Sequence, residues 1–155
     1  MTAARSTTIL ALLLLTIACS PSAPPAAPAV TDAWIREAPP GAGMTAGYLT
    51  VTNPTDADIE IVDARSEAFD SIEFHITVNE DGMARMRREP SVTVPARGRV
   101  DFTPGGRHLM LFGAKSPLSD GDAVDLTITL ADGRELDVSV PVARGGQSGH
   151  DHHNH

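Results

Sequence analysis

One cysteine, Cys19, stands among 155 residues. No internal disulfide and no Cys-x-x-Cys redox pair can therefore form, so the core must hold the fold unaided and thiol-disulfide chemistry is excluded. Positive charge is also short: 12 Lys and Arg face 20 Asp and Glu, for a net charge of −8. Such an acidic surface argues against nucleic acid as a partner and against adsorption to anionic lipid headgroups. No window of twelve residues carries a helical apolar stripe. No Ser/His/Asp order and no paired-carboxylate motif stands out, so the reading is of a protein that is not an enzyme.

Long apolar runs are missing too. The stretch from Ile9 to Ile17 is too short to span a bilayer, follows the positive Arg5 and precedes the small residues Ala18, Cys19 and Ser20. That pattern predicts a secretory signal over residues 1–18 and a protein exported to the periplasm. In LLTIACS, Cys19 falls where the lipid-modified first residue of a bacterial lipoprotein lies, although Thr16 and Ile17 depart from the usual lipobox. Lipidation of Cys19, the expected outcome, would make the N terminus the chain's one membrane attachment; the rival outcome is ordinary cleavage nearby, with Cys19 removed or left as a free thiol. Residues 19–30, rich in Pro, Ala and Ser, form a tether that buries too little to offset its ordering entropy.

What is present is a series of short runs of period two. DAWIRE, TAGYLTVTN, DIEIVDARS, SIEFHITV, SVTVPARGRVDF, RHLMLFG, AVDLTITL and ELDVSV alternate with PPGAG, NPTDAD, NEDG, PGG, SPLSDGD and ADG. Strands at this spacing with Gly/Pro turns predict one all-β domain over residues 31–143, an antiparallel two-sheet sandwich of about eight or nine strands. Its expected core is Trp34, Tyr48, Leu49, Val51, Ile59, Ile61, Ile72, Phe74, Val100, Phe102, Leu109, Leu111, Val124, Leu126, Ile128, Leu136 and Val138. The tail, residues 144–155, has no apolar face and ends with His150, His152, His153 and His155.

Within the domain, His and Met occur together at two separate points, EFHITVNEDGMARM and GGRHLMLFG. Side chains two apart on a strand share a face, so His108 and Met110 project together while Leu109 and Leu111 face the other way. His75 lies near a strand end, and NEDG turns the chain back so that Met83 or Met86 returns beside it. If these strand pairs adjoin, imidazoles and thioethers meet. A thioether is a soft neutral donor that favours Cu(I), and imidazole suits copper in either oxidation state. The expected cargo is cuprous copper. The four tail histidines suit Cu(II), or Zn(II) and Ni(II).

His75, ten residues, Met86, twenty-one residues and then His108-x-Met110 resemble the signature of the periplasmic CuA chaperone family, PCu(A)C. WIREAPPGAGMTAGYLTVTN, NEDGMARMR, PGGRHLMLFG and SPLSDGD are similar to the family's surrounding text, so the likeness spans residues 32 to 142. The resemblance implies a cupredoxin-like Greek-key sandwich with His75, Met86, His108 and Met110 as Cu(I) ligands. It further implies delivery of copper to the CuA-bearing subunit of cytochrome c oxidase, often beside a thiol-containing copper chaperone, and a His-rich tail that binds Cu(II). Met83 is then a neighbouring or spare sulfur, and Met44 has no assigned role beyond core or loop. Two other functions share these residues: copper sequestration or resistance, and a plain β-sandwich interaction lipoprotein.

Ligation by imidazole requires the neutral ring, whose ordinary pKa is about 6.5. Cu(I) affinity should therefore weaken as the pH falls from neutral to mildly acid while the thioethers retain part of it. A chelator competition titration across that range checks this; a flat profile would exclude two histidine ligands.

Overall fold

A computed structural model describes residues 27–39 and 41–145. The expected signal, Cys19 and the four tail histidines lie outside those residues. Ten strands are formed: β1 (Ala29–Arg36), β2 (Met44–Asn53), β3 (Ile59–Arg65), β4 (Ser71–Glu80), β5 (Met83–Glu89), β6 (Val92–Val94), β7 (Gly98–Phe102), β8 (Arg107–Phe112), β9 (Ala123–Leu130) and β10 (Glu135–Ala143). No helix occurs among the described residues, and the fold is all-β as the alternation predicts.

Two strands go beyond the pattern reading. β5, MARMRRE, carries no apolar alternation because six of its seven residues are exposed; backbone pairing to β4 alone makes it a strand. SVTVPARGRVDF, which reads as one run, breaks into β6 and β7. Gly98 N donates to Pro95 O at 3.0 Å, and Arg97 takes a φ of 53° to close the turn.

The strands follow the order β5-β4-β8-β7-β2-β1-β10-β9-β3-β6, with β8 also pairing β2. Neighbours are antiparallel except β1 with β10 and a single-residue match of β7 with β8. Contacts of β3 with β4 and of β6 with β7 bring the far parts of the sheet together, so the inner faces enclose one core. Ile35, Leu49, Val51, Ile61, Val94, Leu109, Leu111, Leu126, Ile128, Leu130, Val140 and Val142 belong to it, each almost wholly buried. Trp34 and Tyr48 are buried but stand outside that cluster; because Ile35 and Leu49 point inward, their neighbours pack together on the outer face, ring centroids 4.5 Å apart.

One transverse row shows how tightly the register is set. Val142, Ile35, Gly47, Leu109, Phe74 and Glu89 pair successively across β10, β1, β2, β8, β4 and β5. Gly47 suits this row, since a Cβ at that point would lie 3.1 Å from Leu111 Cδ1, and Leu111 would have to give by a few tenths of an ångström. The β4–β5 hairpin turns on Asp81 and Gly82, with φ of 52° and 79°, the double positive φ of a two-residue type I′ turn. On the inner side Arg107 grips Glu89 through Nε and Nη2 at 2.8 and 3.1 Å, tying β8 to β5 across β4.

Asn53 closes the end of β2. Its amide donates to the carbonyls of Ala57, Val94 and Pro95 at 2.8, 3.1 and 3.1 Å, and its Oδ1 accepts from Thr55 N and Oγ1. The side chain is 1% exposed, so Asn53→Ala would strand several buried carbonyls and should cost on the order of 2–3 kcal/mol. A urea titration checks this: the midpoint should fall with an unchanged slope.

Candidate metal centre

The face of β5, β4 and β8 that turns away from the core carries the predicted ligands. On β4, Phe74 points into the core, so Glu73, His75 and Thr77 point outward; on β8, Leu109 and Leu111 point inward, so His108 and Met110 point outward. The pairing places His75 directly opposite His108, Glu73 opposite Met110, and Thr77 opposite Met86. Directly paired residues have Cβ atoms about 5 Å apart and diagonal ones about 7–8 Å. Met110 and Met86 are thus both diagonal neighbours of His75, on opposite sides. The structure brings all four residues onto one surface at one end of the molecule.

The imidazole rings of His75 and His108 have centroids 5.9 Å apart at 43°, close enough for both to direct a nitrogen at one ion, given metal–nitrogen bonds of about 2 Å. Each ring already uses its other nitrogen. His75 Nε2 lies 2.9 Å from Glu73 Oε2, and His108 Nδ1 lies 3.1 Å from Gly106 O. A carboxylate and a carbonyl can only accept, so each of those nitrogens carries the proton, leaving His75 Nδ1 and His108 Nε2 with a free lone pair. His75 Nδ1 is buried and has no hydrogen-bond partner, the one such side-chain atom among the described residues. An imidazole donating to a carboxylate or carbonyl with its opposite nitrogen unpaired is the arrangement of metal-ligating histidines.

Burial grades across the site. His108 is 6% exposed and Met86 61%, with His75 and Met110 half-buried. Among the described residues no three His, Cys, Asp or Glu side chains gather for a metal, so an ion bound here would need the thioethers to complete its donors. Met83 pairs with Glu80 and by the pleat projects from the other side of β5. Met44, expected in core or loop, is instead the first residue of β2 and 53% exposed.

The sequence reading omitted Glu73, Arg88 and the Gly106 carbonyl. Glu73 was open to notice, because it lies two residues before His75 and a strand puts both on one face. Glu73 is held below the usual carboxylate range, chiefly by the hydrogen bond with His75 and then, against a desolvation penalty, by the charge of Arg88, whose Nε stands 3.5 Å from Glu73 Oε1.

The chain is similar to several known proteins. The family model described as "Putative lipoprotein LpqE-like" matches residues 28–142. "Putative lipoprotein Lxx21020" of Leifsonia xyli subsp. xyli is 34% identical over 148 residues, 89% of this chain and 88% of that protein. The solution structure of CuI-DR1885 from Deinococcus radiodurans is 34% identical, covers 83% of this chain and 84% of its own, and superposes with a TM-score of 0.61. The copper-bound PCuAC domain from PmoF2 shares the fold, with a TM-score of 0.64 at 24% identity over 75% of this chain and 92% of that one. The chain belongs to the LpqE-like family, of the PCu(A)C type.

A depressed carboxyl pKa stabilises the fold above the ordinary Glu value of about 4.3, and that contribution is lost as the pH falls through the lower folded value. Glu73→Gln should therefore lower stability slightly near neutrality and make its decline below about pH 4.3 shallower, so that the two proteins converge in acid. Urea midpoints measured across that range check the difference.

Proposed function

We propose that the protein is a copper chaperone that binds Cu(I) through His75, Met86, His108 and Met110 and delivers it to the CuA centre of cytochrome c oxidase. The observation that carries this reading is the pair of imidazoles with pre-oriented free nitrogens, above all the buried, unpartnered Nδ1 of His75. Two thioethers beside two imidazoles make a soft, neutral set suited to a d10 cuprous ion. Two of the similar structures are copper forms, one a Cu(I) form and the other a copper-bound domain. The domain lacks the Cys thiolate of blue copper sites, so carriage rather than electron transfer suits the donors. The exposed Met86 can exchange its bond with an acceptor while the buried His108 still holds the ion.

The mature protein is exported to the periplasm and anchored through a lipid on Cys19, a reading supported by the names of its relatives. Its partners are the CuA-bearing oxidase subunit and a thiol-containing copper chaperone. His150, His152, His153 and His155 capture Cu(II) and feed the central site. The placement of β10 favours that role: Val142 is three strands from Leu109 in the same row, about 14 Å along the sheet. Extended chain from Val142 to His150 can reach about 27 Å.

A Cu(I) competition titration with a colorimetric chelator, on the chain lacking residues 144–155, tests the site. The parent should bind one equivalent and His108→Ala should lose it, while equal binding by both would remove the assignment. A transfer assay with a soluble CuA domain separates delivery from sequestration, because a storage protein would keep its copper.

A further inference from the structure

Four large apolar side chains are exposed among the described residues: Met44, Val62, Met83 and Met86. Three are methionines. An exposed methionine adds little packing and is open to oxidation, yet its thioether is the apolar group that binds Cu(I). Met86 belongs to the proposed site and Met83 projects from the opposite side of β5. Met44 remains, and its position is specific.

Met44 begins β2 and pairs with Phe112 of β8, while Ala46 pairs with Met110. Thr45, Gly47 and Leu49 are buried on the inner side of β2, so Met44 and Ala46 share the outer face with Met110 and Phe112. Met44 is therefore the diagonal neighbour of Met110, with Cβ atoms about 7–8 Å apart, a span long side chains can bridge. The intervening Ala46 leaves room beside Met110. Along this face the donors run Met86, His75, His108, Met110 and Met44, with the two outermost sulfurs exposed and the imidazoles between them.

We propose that Met44 is a further Cu(I) donor, a stepping ligand that accepts the ion from the His75, His108 and Met110 group on the β2 side. The proposal rests on the copper reading above and extends it. In the step a bond forms between copper and Met44 Sδ as the bond to Met86 Sδ breaks, with Met110 holding the ion throughout. Thioethers are neutral, so copper remains Cu(I), no proton moves and no redox partner is needed. Met44 also borders a groove of about 420 Å³ with Phe69, Leu111 and Leu118, so apolar packing is the competing explanation.

A stepping ligand lowers the barrier between two states without changing either, so its loss slows loading and release together and leaves the equilibrium in place. Met44→Leu keeps the shape and removes the sulfur. In the full chain, stopped-flow transfer of Cu(I) to and from a chelator should slow about tenfold in both directions, the lower end of what loss of a supporting metal partner costs, with the competition affinity unchanged. Met44→Cys, which restores a soft donor, should recover the rate. Wild-type rates in Met44→Leu, or a lower denaturation midpoint with wild-type rates, would overturn the proposal and assign Met44 to packing. Met110→Leu is the separate control: weakened affinity there sustains the parent reading whatever Met44 does, and wild-type affinity there would defeat the parent reading itself.

Discussion

The structure turns on the pairing of β4 with β8. Phe74 must face Leu109 and Ile72 must face Leu111 for the core to close, and a strand's period of two then obliges His75 to stand opposite His108 on the outer side. A slip of one residue in β8 would turn the His108 imidazole into the core and send Leu109 and Leu111 to the outer face. The hydrophobic effect thereby sets the separation of the imidazoles although it acts on the other face. Ligand geometry is inherited from packing, and no separate source of order is needed to bring the rings together.

The two faces divide the work. Inward side chains are mostly aliphatic or aromatic, with the Arg107–Glu89 pair an exception at the edge; on the outer face Glu73 and Arg88 stand among four neutral side chains whose exposure rises from His108 through His75 and Met110 to Met86. Glu73 and the Gly106 carbonyl hold one nitrogen of each ring, which leaves the other nitrogen of each with its lone pair free. The Met86 sulfur, on the edge strand β5, is largely uncovered.

Much of this was legible in the chain. Alternation located the strands that bury a face, and the spacing of His108 and Met110 told that they point together. β5 escaped notice because it has no buried face, and its arginines and methionines signal nothing about pairing. The choice between Met83 and Met86 could not be made from period two alone: it depends on which residues occupy the turn, and the positive φ of both Asp81 and Gly82 places the turn between Glu80 and Met83. Trp34 and Tyr48 read as core because they are large and lie on strands, but they bury themselves against each other on the outer face. Glu73 is not legible as a partner because a carboxylate on a strand surface usually has none worth naming, and here the rotamers of His75 and Arg88 supply two.

The two-residue turn at Asp81 and Gly82 has a consequence for how such a site can be gained or lost. Lengthening that loop by one residue would shift β5 against β4 and invert its faces, sending the Met86 sulfur to the far side and Met83 or its neighbour to the near one. β5 contributes no residue to the apolar core, so the chain would fold much as before. A single-codon insertion there would therefore exchange which methionine shares a face with His75, without any change in residue identities, and a count of matching residues would miss it.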